Sequence, residues 1–421
     1  GVMVIIYIAA LRFKLSTELS MFAAALAGAF AAGHWFPVTH IADGSITYLD
    51  INLIFISATL FMNILKESGG ISFAVRGVIR RFHKSRVLLL ILLTFLLLVP
   101  GALTGAGSVT VLITGGMVAI VLNYMGISKI RTSAIVFLIA GLSAAAPPVS
   151  LWAMMAAAGV NMPYVGFFLP LLVPCIIAAL VTIFILGWKG TNIDIEKAYS
   201  ELPVPPAKMS WIKIIIPFAV FFGLVFIGRK WPHNTPVVGL PLMFILAALS
   251  SWIMSPKKLD ILKISTDTIR QLLPLIGTLT CVGILVQVMT LTGVRGLLAI
   301  SFITLPVFLV IGSLFLFLPI TESVLMYGSA AVFGVPLVLL FNTMGLNPII
   351  ALAGMSVIWP LGDALPPTAI IGRLTISVVG TKEPYMQFLK QCILPAVIIC
   401  IIGTLMVIFS NELGFLTGVN R

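Results

Sequence analysis

The sequence predicts an all-α polytopic membrane protein made of two inverted repeats of about five spans each, with a re-entrant helical hairpin and a broken helix in each repeat. Three observations lead there. Hydrophobic residues make up 60% of the 421 and charged residues only 9%, too little polar surface to cover a soluble globule of that length. The motif Asn123-x-Met125-Gly126, followed 21 residues later by Pro147-Pro148, returns as Asn342-x-Met344-Gly345 followed 21 residues later by Pro366-Pro367, and Pro100 and Pro319 keep the same offset of 219. Basic residues crowd one connection of the first copy (Lys66, Arg76, Arg80, Arg81, Lys84, Arg86), whereas the equivalent stretch of the second, 285–305, carries only Arg295. Positive charge stays on the cytoplasmic side, so the copies face opposite ways.

Taken in order, the first repeat covers 1–187. Residues 1–11 read as the second half of a span, because the offset maps 210–229 onto positions that begin about nine residues before Gly1. The apolar runs 17–36 and 49–66 are long enough to cross a hydrocarbon core of about 30 Å. Residues 71–86, apolar at Ile71, Phe73, Val75 and Val78 and basic elsewhere, read as an amphipathic helix on the cytoplasmic interface. The run 87–123 is too long for one span, and two spans would place Lys129 and Arg131 outside. A hairpin turning at Thr104-Gly-Ala-Gly-Ser108 resolves both. A broken helix over about 130–159 and a span over 163–187 complete the copy.

The linker 188–209, with Asp194, Glu196, Glu201 and the Pro203-Val-Pro205-Pro206 run, reads as a cytoplasmic surface connection. The second repeat, 210–421, holds spans at 210–229, 236–254, 271–292 and 385–410, a hairpin at 302–343 turning near Pro319-Ile-Thr-Glu-Ser323, and a broken helix at 347–380. In this topology every Lys and Arg is cytoplasmic apart from periplasmic Arg229, Lys230, Arg295 and Arg421 and intramembrane Arg373.

Composition also excludes. The net charge of +12 sits in short connections, as orientation signals do, which argues against nucleic-acid binding. Cys175, Cys281, Cys392 and Cys400 are single residues in apolar stretches, without metal or disulfide spacing. His34, His40, His83 and His233 lie near span ends or in connections, also without ligand spacing. No clustered His, Ser/Lys or paired carboxylates mark one helix face, so the chain is not expected to be an enzyme.

Chemistry is expected where the helices break. Consecutive prolines at Pro147-Pro148 and Pro366-Pro367 remove two amide donors, so carbonyls one turn back lose their partners. Such carbonyls beside Ser and Thr hydroxyls suit a small cation, while the helix resuming after each break presents amides to an anion. Three ionisable residues stand at membrane depth in the second copy alone: Glu322 against Leu103, Asp363 against Ala144 and Arg373 against Met154. Each costs about 2.5–3.5 kcal/mol on insertion scales and needs a partner or water. The two acids are candidates for cation ligation or proton carriage, and Arg373 for holding a carboxylate. An internal Asp363–Arg373 or Glu322–Arg373 pair is the alternative.

From Leu60-Phe-Met-Asn-Ile-Leu-Lys-Glu-Ser-Gly-Gly-Ile71 through the hairpin tip and Ala146-Pro-Pro-Val-Ser150 to the second Pro-Pro and the Pro395 span, the chain resembles the ion-transporter superfamily. Within it, the large membrane subunit of tripartite ATP-independent periplasmic (TRAP) transporters is most similar. The resemblance implies an elevator mechanism in a bacterial inner membrane, coupled to sodium or alternatively to protons, for a small organic anion. It further implies a small four-span membrane subunit and a periplasmic substrate-binding protein as partners. By the same resemblance, sodium would sit at Thr104, Gly105, Gly107 and Ser108 with Ala146 and Pro147, and at Thr321, Glu322 and Ser323 with Gly362, Asp363 and Thr368. The anion would lie between the tips, near Ser108, Ser143, Pro148, Ser150, Pro367, Thr368 and Arg373. A stand-alone anion symporter or cation/proton antiporter of the same fold stays open.

Overall fold

The computed structural model of the chain describes residues 1–190, 195–231 and 238–418. Asp194, His233 and Arg421 lie outside the described residues, as does the side chain of Arg229. Regular structure among the described residues is helical throughout, and eight helices are long and apolar enough to cross a membrane. The chain is a multi-pass, all-α membrane protein.

Helix bounds recur at the spacing of the proline motifs. Gly116–Tyr124 returns as Val335–Thr343, Leu151–Gly159 as Ile370–Val379, and the π-helical turn Val111–Gly115 as Ala330–Gly334. Helix Lys129–Ala145 matches Pro348–Ile358 followed by the 3-10 turn Trp359–Ala364. Both copies thus run continuously up to their diproline and resume three residues beyond it, as the loss of amide donors there requires.

Two bounds differ from the sequence reading. The second hairpin does not turn near Pro319–Ser323: helix Val307–Leu325 passes through Pro319, and the chain reverses at Met326, whose φ is 52°. A proline inside a helix deprives the carbonyl four residues back of its donor. Here that carbonyl, Phe315 O, accepts the Cys400 thiol at 3.7 Å, so the helix carries on. The expected span 271–292 is part of a 31-residue helix, Ile261–Leu291, whereas its counterpart is divided into Val38–Ile46 and Leu49–Glu67.

The copies interlock. Thr17–Ala31 packs on Ile261–Leu291, and Leu49–Glu67 packs on Leu240–Ile253. Thr278 Oγ1 donates to Glu18 Oε1 at 3.0 Å and Asn63 Nδ2 to Thr268 Oγ1 at 2.9 Å, so Ile261–Leu291 holds polar bonds to both Thr17–Ala31 and Leu49–Glu67. At Gly44 and Gly283 the backbones meet: a Cβ on Gly44 would lie 2.5 Å from Ile284 Cα. Small residues at that crossing are what permits the approach.

The inter-copy linker is anchored. Arg76 donates from Nη2 to Tyr199 O (2.7 Å) and Leu202 O (2.5 Å) and from Nε to Pro203 O (3.0 Å), and Tyr199 Oη returns a bond to Arg76 O (2.9 Å). Tyr124 Oη donates to Glu201 Oε1 at 2.6 Å. Arg76 therefore does more than set orientation: its planar fork closes three carbonyls left over at the end of helix Ile195–Glu201.

Candidate functional site

Each broken helix packs against a hairpin, which forms two junctions. In the first, helix Arg86–Thr104 ends at Gly105 with φ 68°. A Cβ there would sit 2.7 Å from Phe55 and 2.9 Å from Val149, so close approach as well as φ calls for glycine. Val149 N–H donates to Ala102 O at 3.1 Å and ties the diproline to the hairpin. Ser143 Oγ donates to Ala140 O (2.6 Å) and pairs with Thr110 Oγ1 (2.8 Å), while Thr104 Oγ1 donates to Pro100 O (2.7 Å). These hydroxyls are fully buried and already partnered. Ser150 Oγ is the exception, buried with no partner, and Ser108 is half-buried. Pro147 is buried and Pro148 partly so.

The second junction is built at the same positions from different groups. Ser329, the counterpart of Thr110, donates its hydroxyl to Glu322 Oε2. Gly362, the counterpart of Ser143, gives the room the acid needs: a Cβ on it would lie 2.6 Å from Glu322 Cβ and 3.0 Å from Ser323 N. Thr368 Oγ1 donates to Ser323 O at 2.9 Å, so the chain beyond the diproline is bonded to the hairpin. Thr321 and Ser323 spend their own hydroxyl protons on Leu318 O and Ile320 O. Tyr385 Oη closes the broken end through Ala364 O at 2.6 Å. Unlike the first pair, Pro366 and Pro367 are exposed.

Glu322 is 0% exposed and Asp363 3%, and each holds a buried oxygen without a partner, Oε1 and Oδ2. Arg373 does not answer them. It is exposed, in the first turn of helix Ile370–Val379, and neither internal pair considered from sequence is formed among the described residues. Two buried carboxylates without a counter-charge are expensive unless a proton or a metal cation joins them.

Two aromatic residues that sequence reasoning passed over complete this junction. Trp152, from the first copy's helix Leu151–Gly159, is fully buried and stacks at 5.7 Å, tilted by 49°, on Tyr327 at the second hairpin's turn. Its indole N–H is buried without a hydrogen-bond partner. The legible signal was a tryptophan two residues past Ser150 in an apolar run, since its N–H needs a partner when buried. Helix Leu151–Gly159 also packs on Ala330–Gly334 and helix Ile370–Val379 on Val111–Gly115, so each broken helix reaches the other copy's hairpin at its π-helical turn. π-helical turns free carbonyls and recur at functional sites, and Lys66 Nζ takes one of them, Leu112 O, at 3.2 Å.

Against known proteins, the sequence matches no family model and no curated protein. The structure is similar to the crystal structure of the YdaH transporter of Alcanivorax borkumensis, with TM-score 0.64 and 12% identity over 90% of this chain and 89% of that one. It is also similar to MtrF of Neisseria gonorrhoeae, described as illuminating a class of antimetabolite efflux pumps, with TM-score 0.61 and 13% identity over 88% of this chain and 83% of that one. At such identities the likeness is one of fold: the chain has the architecture of a membrane transporter, and the likeness does not single out the ion-transporter superfamily or its tripartite branch.

Proposed function

We propose that the protein is a cation-coupled secondary transporter of a small organic anion in a bacterial inner membrane, with the coupling cation at the second junction. The observation that carries this reading is the pair of buried, uncompensated carboxylates, Glu322 and Asp363, where a hairpin meets a broken helix. A bound cation removes the cost of their charge, so its binding and the closure of the junction are linked. The anion is assigned to the exposed side, where Arg373 and the free amides at the start of helix Ile370–Val379 offer one charge and a positive dipole end. Thr368, bonded to Ser323 O, lies two residues before that helix, whereas Ser143 and Thr110 pair within the first junction.

Sodium is the first candidate, supported by the carbonyl and hydroxyl oxygens of Thr321, Ser323, Gly362 and Thr368 beside the two acids. A proton is the second, because protonation would equally remove the charge of two buried carboxylates that have no counter-charge. An elevator movement of hairpins and broken helices against the other spans fits the interlocked halves. A stand-alone carrier and a tripartite permease share this site, and co-purification with a four-span subunit separates them.

The test is uptake of radiolabelled organic anions into proteoliposomes, driven by a sodium gradient or a pH gradient. Glu322→Gln and Asp363→Asn are expected to abolish gradient-driven accumulation while leaving the protein folded. Normal accumulation in both variants refutes the assignment.

A further inference from the structure

A crevice of 760 Å³, within the size range of ligand pockets, opens sideways from the second copy. One wall is the second hairpin's helix Val307–Leu325, at Leu316 and Ile320, and the other is the last span, Tyr385–Ile408, at Ile393, Val397 and Ile401. These five side chains are exposed, whereas the floor, Ala364 of the broken helix, is buried. Cys400 Sγ, donating to Phe315 O at 3.7 Å, and Tyr385 Oη, donating to Ala364 O at 2.6 Å, bridge its sides. In the first copy, helix Arg86–Thr104 packs along Lys129–Ala145. Val307–Leu325 instead meets its broken helix mainly at the 3-10 turn Trp359–Ala364, so the second hairpin stands off.

Depth and charge decide what fills it. Both walls are helices long and apolar enough to cross a membrane, and the lining is almost wholly apolar, so the opening faces hydrocarbon. Ile393, Val397 and Ile401 recur at helical spacing, and Lys390 continues their stripe one turn toward the start of the helix. Lys390 is exposed and makes no hydrogen bond or ion pair among the described residues. Helical side chains slant toward the helix start, which carries its ammonium past the end of the crevice. Its offset partner is buried Leu171, so the cation belongs to this copy alone. An apolar slot with a cation beyond one end is complementary to hydrocarbon under an anionic head. We propose that the crevice binds an anionic membrane phospholipid, with one acyl chain between the second hairpin and the last span and the phosphate on Lys390. Pro319 and Ala364 line the crevice and lie close in sequence to Glu322 and Asp363, so the bound chain backs the second junction.

The experiment is a thermal-shift titration of the purified protein in a neutral detergent with phosphatidylglycerol or phosphatidylcholine. Phosphatidylglycerol should reach its half-maximal shift at about fivefold lower concentration, the scale of one lysine–lipid charge contact. Lys390→Gln, an exposed change that leaves the fold alone, should bring the two lipids to the same midpoint. Ala396→Trp puts an indole into the crevice between its walls and should remove the shift with either lipid. Should that variant fail to fold, Val397→Trp, at an exposed lining position, replaces it. Equal midpoints for the two lipids in the wild type overturn the proposal, as does a phosphatidylglycerol preference that survives Lys390→Gln or a shift that survives the tryptophan. Light scattering that shows a dimer insensitive to lipid, and broken by the tryptophan, assigns the crevice to a second copy of the chain and also overturns it. Binding is read without transport, so the outcome is separate from that of the cation-coupled reading.

Discussion

The two junctions share a backbone and differ in chemistry. In the first, Thr110 and Ser143 meet as two neutral hydroxyls, and the room beside them is closed to the point that Gly101 could not carry a Cβ without striking Ser143. In the second, Ser329 faces Glu322, and it is the broken helix that gives way, through Gly362. One contact is saturated by its own hydrogen bonds; the other keeps two carboxylate oxygens with nothing to bind. Exposure follows the same division, with Pro147 buried and Pro366 and Pro367 exposed. The two junctions recur at one spacing along the chain, and a few differences at offset positions leave one with paired hydroxyls and the other with two unpartnered carboxylates. The lesson is that symmetry in helix bounds locates a site, while departures from symmetry say which copy works.

The comparison can be broken most severely at the acids. Glu322→Gln should lower coupled uptake by about a hundredfold or more, the scale of losing a buried charged ligand. Its thermal stability without cation should hold or rise, because an uncompensated charge has gone. A variant that unfolds instead would make the carboxylate structural. Gly362→Ala comes next: the added methyl meets Glu322 and Ser323, and overpacking of this kind costs about 1–3 kcal/mol, read as a lower unfolding temperature with weakened cation dependence. Arg373→Gln should raise the anion KM about tenfold and leave the cation titration in place, which separates an exposed anion contact from an internal charge partner. Smallest is Ser143→Ala. Loss of a buried neutral hydrogen bond costs about 1 kcal/mol of stability, and coupling should be unaffected. If Ser143→Ala shifts the cation titration as far as Ser329→Ala does, the junctions are equivalent and the contrast fails.

Much of this architecture was legible in the sequence because a bilayer leaves few choices. Backbone bonds must be closed within each span, so long apolar runs mean helices and paired prolines mean breaks, and the helix bounds recur with the 219-residue spacing of the motifs. Glu322 and Asp363 stood out for the same reason, being acids where the first copy has leucine and alanine. What sequence could not give was which carbonyls and hydroxyls remain free. Thr104, Thr321 and Ser323 read as cation ligands by resemblance, and the chain alone does not show that each hydroxyl proton goes to a carbonyl of its own helix, leaving only the oxygen lone pairs to face a cation. The second hairpin's turn was placed too early because Pro319 looked like a break, whereas the Cys400 thiol, 81 positions away in sequence, occupies the carbonyl it frees. For Arg373, read as a carboxylate contact with an internal pair as the alternative, spacing along the chain does not reveal helix orientation, and its helix turns it outward. Trp152 was missed for a related reason. Its ring partner Tyr327 is long-range, and only packing of one copy's broken helix on the other's hairpin brings them together.

The most direct measurement is cation binding to the purified protein in detergent, followed by thermal shift against sodium at fixed pH and against pH in potassium. The wild type should be stabilised in one of the two titrations, Ser143→Ala should follow it, and the Glu322→Gln, Asp363→Asn double variant should show no response in either. Stabilisation of the double variant at wild-type cation concentrations would place the cation elsewhere and contradict the account.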